Sequence, residues 1–113
     1  MENEFWEFLE RLIEISPIEI DRPKGSAHPR FPDLIYPLDY GYLKDTTSTD
    51  GGGLDVWVGT QSSARLEGII CTIDLKKMDI EIKILIGCSE VELNTIIDFH
   101  NSGAMRAILI RRQ

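Results

Sequence analysis

Cysteine is scarce: Cys71 and Cys88 are the two in 113 residues. Two thiols make no disulfide framework, and neither lies in the Cys-x-x-Cys spacing that holds a metal or supports redox exchange. Reduced thiols in a cytoplasmic protein are the expectation. Basic charge is also short, since 12 Lys and Arg against 19 Asp and Glu leave a net charge of −7. Nucleic-acid and anionic-membrane surfaces need clustered Lys and Arg, so the balance argues against both partners. No apolar run is long enough to span a bilayer, and the acidic first residues are not those of a secretory leader. A nucleotide P-loop is missing too. Lys24-Gly25-Ser26 runs in the wrong order and lacks the earlier glycine.

What is present suits one soluble domain over residues 1–113, with a modest single core. Hydrophobic residues make up 42% and charged residues 27%, both ordinary for a globular protein. Phe5, Phe8, Leu9, Leu12 and Ile13 recur at helical spacing, so Glu2 to Ile15 is expected to be a helix, stopped by Ser16-Pro17. Its apolar face reads as packing or a subunit contact, and a homo-oligomer is compatible with it. Ile18-Glu19-Ile20 alternates as a short strand. Four prolines from Pro23 to Pro37 predict an extended surface path with few ladder hydrogen bonds. Val56-Trp57-Val58 reads as a strand, and so does Gly68 to Asp74. Asp79 to Ile84 alternates strictly, which puts Ile80, Ile82 and Ile84 on a core face and Asp79, Glu81 and Lys83 on the other. A turn at Leu75 to Met78 makes these last two strands a hairpin. Ser89 with Glu92 three residues on is a capping box, opening a helix to about Asn101 that Gly103 ends. Met105 to Ile110 is a last strand. The whole predicts a mainly β, α+β chain with a helix at each end: a small closed β-barrel of the OB type, with a ferredoxin-like sandwich as the second choice.

The chemistry-bearing stretch is Tyr36 to Val58. It holds Tyr36, Tyr40 and Tyr42, then Asp50, a triple glycine and Asp55. Carboxylates around a glycine turn can converge on a hard cation such as Mg²⁺, with water and phosphate completing its shell. Asp79 and Glu81 would join them if the Val56 strand lies beside the Asp79 strand. Taken by periodicity alone, Asp79, Glu81 and Lys83 are equally the solvated face of an edge strand, and Asp50 is ordinary turn chemistry.

Glu19, then Tyr36-Pro37-x-x-Tyr40-Gly41-Tyr42, then Asp50-Gly51-x-x-Leu54-Asp55-Val56 resembles the soluble (family I) inorganic pyrophosphatases over roughly Ile18 to Ile86. The resemblance implies an OB-type barrel and hydrolysis of inorganic diphosphate, or a related small phosphoanhydride, to two phosphates. It implies Mg²⁺ as cofactor, with Mn²⁺ as its substitute. Asp50 and Asp55 correspond to signature carboxylates, Asp79 and Glu81 to a following acidic motif, and Glu19 to the rim of the metal site. Asp55, Asp50 and Tyr40 would carry the catalytic role. Lys24, Arg30, Tyr36 and Lys83 would bind phosphate oxygens. The departures are equally specific. Gly52 stands where the signature has its middle carboxylate, and Gly53 where it has proline. The stretch from Ser26 to Tyr36 is too short for the family's phosphate-binding hairpin. His100-Asn101 stands near a tyrosine-lysine pair that is not kept, leaving His100 as a helix-surface residue. These departures imply weak activity, or a module that binds Mg-diphosphate or a nucleotide, or acts as a subunit of another assembly.

Overall fold

The computed structural model describes residues 1–112. In chain order its elements are α1 (Glu2–Ile15), β1 (Ile18–Arg22), β2 (Asp39–Leu43), β3 (Leu54–Val58), β4 (Leu66–Asp74), β5 (Asp79–Ile86), α2 (Glu90–Phe99) and β6 (Met105–Arg111). The strands form one sheet in the order β1-β2-β3-β5-β4-β6. All neighbours are antiparallel except β3 and β5, which run parallel.

Strand register explains how the two faces differ. Tyr42, Asp55, Lys83, Ile70 and Leu109 stand in one row across β2, β3, β5, β4 and β6. Gly41, Val56, Ile84, Ile69 and Ile110 stand in the next row, whose side chains point the opposite way because strand periodicity is two. Each face builds its own core. On the first face Trp57, Ile70 and Leu85 pack with Leu93 and Ile96 of α2. On the other, Val56, Ile69, Ile84 and Leu43 pack around Trp6 of α1.

Sequence chemistry sets the ends of these elements. The capping box at Ser89 forms: the Ser89 hydroxyl accepts from the Glu92 N–H, and Glu92 accepts from the Ser89 N–H. Glu92 also accepts from the N–H and hydroxyl of Thr60, which ties the end of β3 to the start of α2. Gly41 is a glycine for steric reasons. A Cβ there would lie 1.8 Å from the Glu19 carbonyl oxygen on β1.

Four expectations need correction. The sheet is open, with β1 and β6 at its edges, so the closed barrel is not what forms. The alternation in β5 is real, but Ile80 and Ile82 are 65% and 51% exposed while Lys83 is 5% exposed. The core covers the Ile face only from Ile84 onward, and α2 with its loops covers the Lys83 face. The proline-rich stretch is not simply extended. Gly25 and Tyr36, Ser26 and Tyr36, and His28 and Leu34 are joined by backbone hydrogen bonds, so residues 25–36 fold into a short hairpin-like arm. Finally, His100 is buried.

Candidate functional site

The face shared by β2, β3 and β5 meets the 25–36 arm and the β4–β5 turn around a cleft of ≈ 950 Å³. Its floor carries polar side chains because adjacent rows of the sheet do. Lys83 faces Asp55 across the parallel β3–β5 pair. Its ammonium donates to Asp55 Oδ2 at 3.0 Å, to Glu81 Oε2 at 3.1 Å and to the Tyr40 hydroxyl at 2.7 Å. Burial on its own disfavours that charge, but the contacts with Tyr40, Asp55 and Glu81 outweigh it and raise the Lys83 pKa above the ordinary lysine range. Burial pushes the Tyr40 hydroxyl upward, so it stays protonated, with its hydrogen directed at Asp55.

A second layer of aromatic contacts holds this floor. The Tyr40 and Trp57 rings meet edge to face at 4.7 Å. Trp57 Nε1 donates to His100 Nε2 at 3.0 Å, and the His100 Nδ1 lies 3.3 Å from the Met105 sulfur. Burial, followed by the Lys83 charge, lowers the His100 pKa to about 3. His100 is therefore a neutral acceptor that orients Trp57.

Of the sequence-derived candidates, Tyr40, Asp55, Glu81, Lys83, Tyr36 and Arg30 all border the cleft. Tyr36 is buried, and its hydroxyl accepts from Arg22, whose guanidinium lies 5.4 Å from the centre of the same ring. Lys24, Asp50, Asp79 and Glu19 are not in the cleft wall. The Lys24 N–H donates to Asp39 at 2.8 Å. Glu19 pairs with Lys44 at 3.5 Å, and Asp79 with Lys77 at 3.4 Å. Asp50 closes its own loop, accepting from the Ser48 hydroxyl and from the Gly52 N–H. Those two donors hold its carboxyl below the usual range.

The metal set inferred from the resemblance therefore does not assemble in this arrangement. Among the described residues no three His, Cys, Asp or Glu side chains gather as ligands. Asp55 and Glu81, the two that do converge, converge on the ammonium of Lys83. Sequence reasoning also missed Arg22, His28, Lys76 and Lys77, all on the cleft wall. The adjacent lysines in the turn before Asp79 were a usable signal. Arg22 had none, because a register shift after Ile20 turns it toward Tyr40.

The fold is the one found in inorganic pyrophosphatases. The inorganic pyrophosphatase from Neisseria gonorrhoeae matches at a TM-score of 0.62 and 18% identity, covering 79% of this chain and 77% of that one. The Helicobacter pylori enzyme matches at 0.57 and 17%, covering 83% and 81%. The Coxiella burnetii enzyme matches at 0.57 and 21%, covering 85% and 82%. No protein-family model matches the sequence, and no curated protein matches it significantly.

Proposed function

We propose that this protein binds inorganic diphosphate, or a related small phosphoanhydride, in the cleft and hydrolyses it to two phosphates. One observation carries the reading: Lys83, Tyr40, Asp55 and Glu81 are joined by hydrogen bonds at the floor of a cleft that Arg22, Arg30, Lys76 and Lys77 also border. Asp21, Asp33 and Asp74 line the same cleft, so its charges balance overall, and the preference for an anionic ligand rests on Arg22 and Arg30, whose guanidiniums form no salt bridge among the described residues.

Hydrolysis in this cleft is an in-line displacement. Water adds to one phosphorus, the bridging P–O bond breaks, and the second phosphate leaves. Phosphoryl transfer depends mainly on positioning and on charge stabilisation. Arg22 and Arg30 contact the phosphoryl oxygens, Lys83 supports them through its charge alone because its three N–H bonds go to Tyr40, Asp55 and Glu81, and Asp55 receives the water's proton. Magnesium enters as the companion ion of the diphosphate substrate. Phosphate release from diphosphate, with and without Mg²⁺, tests this. Asp55→Asn is expected to lower the rate on the order of 10²-fold, and a near-wild-type rate would remove Asp55 from the mechanism.

A second reading, a module that binds the anion without efficient turnover, is favoured by Gly52 and by the way Asp50 closes on its own loop. Saturable diphosphate binding with no phosphate release would select it.

A further inference from the structure

Inorganic diphosphate is small and wholly polar, and this cleft is neither. A volume of ≈ 950 Å³ lies at the upper end of what organic ligands of drug-like size occupy. The Lys83 floor takes up one part of it. Another part is made by the 25–36 arm, which carries His28, Arg30 and Phe31 opposite Lys76 and Lys77 of the β4–β5 turn.

This arm presents an aromatic platform. Phe31 is 53% exposed, although it borders the cleft. The His28 ring packs on it at 5.1 Å and lies parallel to the Tyr36 ring, 6.2 Å away with 10° between planes. The Lys76 ammonium sits 6.0 Å from the Phe31 centroid, so one cation of the turn reaches the same ring, while Lys77 pairs with Asp79 and Glu81. Burial, then the charges of Arg22, Arg30 and Lys77, lowers the His28 pKa, which favours a neutral ring among those cations. An exposed ring in a half-apolar cleft, flanked by cations, is the arrangement that stacks a flat base while phosphates are neutralised beside it. Diphosphate alone has nothing to place on Phe31.

We propose that the ligand is an organic phosphoanhydride bearing an aromatic base, a nucleoside diphosphate, with its base against Phe31 and His28 and its phosphates between Arg22 and Lys83. This rests on the phosphate-binding reading above. It moves the ligand class from a bare anion to a nucleotide, and the bond open to attack is the same P–O–P link.

Calorimetric titration with ADP and with inorganic diphosphate, on the full chain, tests it. ADP is expected to bind at least ~10-fold more tightly than diphosphate, and Phe31→Ala to remove roughly that factor for ADP while leaving diphosphate unchanged. Phe31→Trp, which restores a stacking surface, should recover ADP binding. Arg22→Gln should weaken both ligands. If diphosphate binds and ADP binds no better, or if Phe31→Ala weakens both equally, the nucleotide assignment is wrong and the diphosphate reading stands. If neither ligand binds to the wild-type chain, both readings fail together.

Discussion

The Lys83 ammonium lies 3.0 Å from Asp55 Oδ2 and 3.1 Å from Glu81 Oε2, between two carboxylates of the cleft floor. The chain's own cation thus occupies the place between these two acids that a divalent ion would need. Lys83→Met removes it and leaves Asp55 and Glu81 without their shared counter-ion. Two adjacent carboxylates are hard oxygen ligands suited to Mg²⁺ or Mn²⁺. The variant is expected to bind Mn²⁺ at least ~10-fold more tightly than the wild type, read from the resonance of free Mn²⁺. An unchanged affinity would show that Lys83 does not compete with metal for the pair.

Gly52 is free to change. Its φ is not positive, unlike Gly51 at +88°, and a Cβ would meet only Asp50 Oδ1 at 3.4 Å. Gly52→Asp should therefore fold with stability within ~0.5 kcal/mol of wild type. It places a second carboxylate beside Asp50 where the pyrophosphatase-like signature has one. Because Asp50 and its loop lie outside the cleft wall, Mg²⁺-dependent phosphate release is expected to stay within about 2-fold of wild type, under ~0.5 kcal/mol of barrier. A clear gain in both metal affinity and turnover would show instead that the loop reaches the cleft and that this glycine stands in for a lost catalytic carboxylate.

His100 makes stability depend on pH in a definite direction. Its pKa falls from 6.5 to about 3 on folding, so between those values the unfolded chain binds a proton that the folded chain refuses. The stability it contributes is present above pH 6.5 and is lost as pH falls toward 3. At pH 5 the loss is about 2 kcal/mol. His100→Gln keeps an acceptor for Trp57 but does not titrate. Urea denaturation at pH 7 and pH 5 should show a smaller drop for the variant by about that amount. Equal drops would mean that His100 is protonated without cost in the fold.

Neighbouring isoleucines of β5 should respond differently. Ile84 is 2% exposed and Ile82 51%. Ile84→Ala is expected to cost about 2–4 kcal/mol, because burial is lost and a cavity remains. Ile82→Ala should cost less than about 1 kcal/mol in the isolated chain. Thermal and urea unfolding of the two variants checks the difference.

That contrast shows what the sequence could and could not reveal. Period-two alternation in β5 was legible, and so were the capping box, both helices and the hairpin. Periodicity separates two faces, but coverage decides which is buried, and coverage depends on where α1 and α2 land. Periodicity alone therefore left Lys83 on a solvated face, while the resemblance set it at the phosphate site, and His100 was placed on the helix surface; both are buried. Closure is not a local property either: each strand would read the same in a barrel, and only the separation of β1 from β6 makes the sheet open. Within the site, the resemblance carried by the segment Tyr36 to Asp55 pointed to Tyr36, Tyr40 and Asp55, and all three border the cleft. Asp50 was out of reach for such reasoning. Its carboxylate was free to choose either a metal or the Ser48 hydroxyl, and the loop closed on itself.

The parallel contact between β3 and β5 has a consequence for how the molecule comes into being. Strands β1, β2 and β3 are contiguous in both sequence and sheet, and β5, β4 and β6 are built from the second half of the chain. Within the sheet the two halves join along one seam, where Asp55 to Val58 meets Lys83 to Ile86. Asp55 comes from one side of that seam and Lys83 from the other. A seam between distant segments must overcome loop-closure entropy before its contacts reward it, so it forms after the local hairpins. The cleft floor is then a late event in folding, and neither half alone carries it. A chain nicked within residues 59–65 should recover its ligand only when the two fragments reassociate.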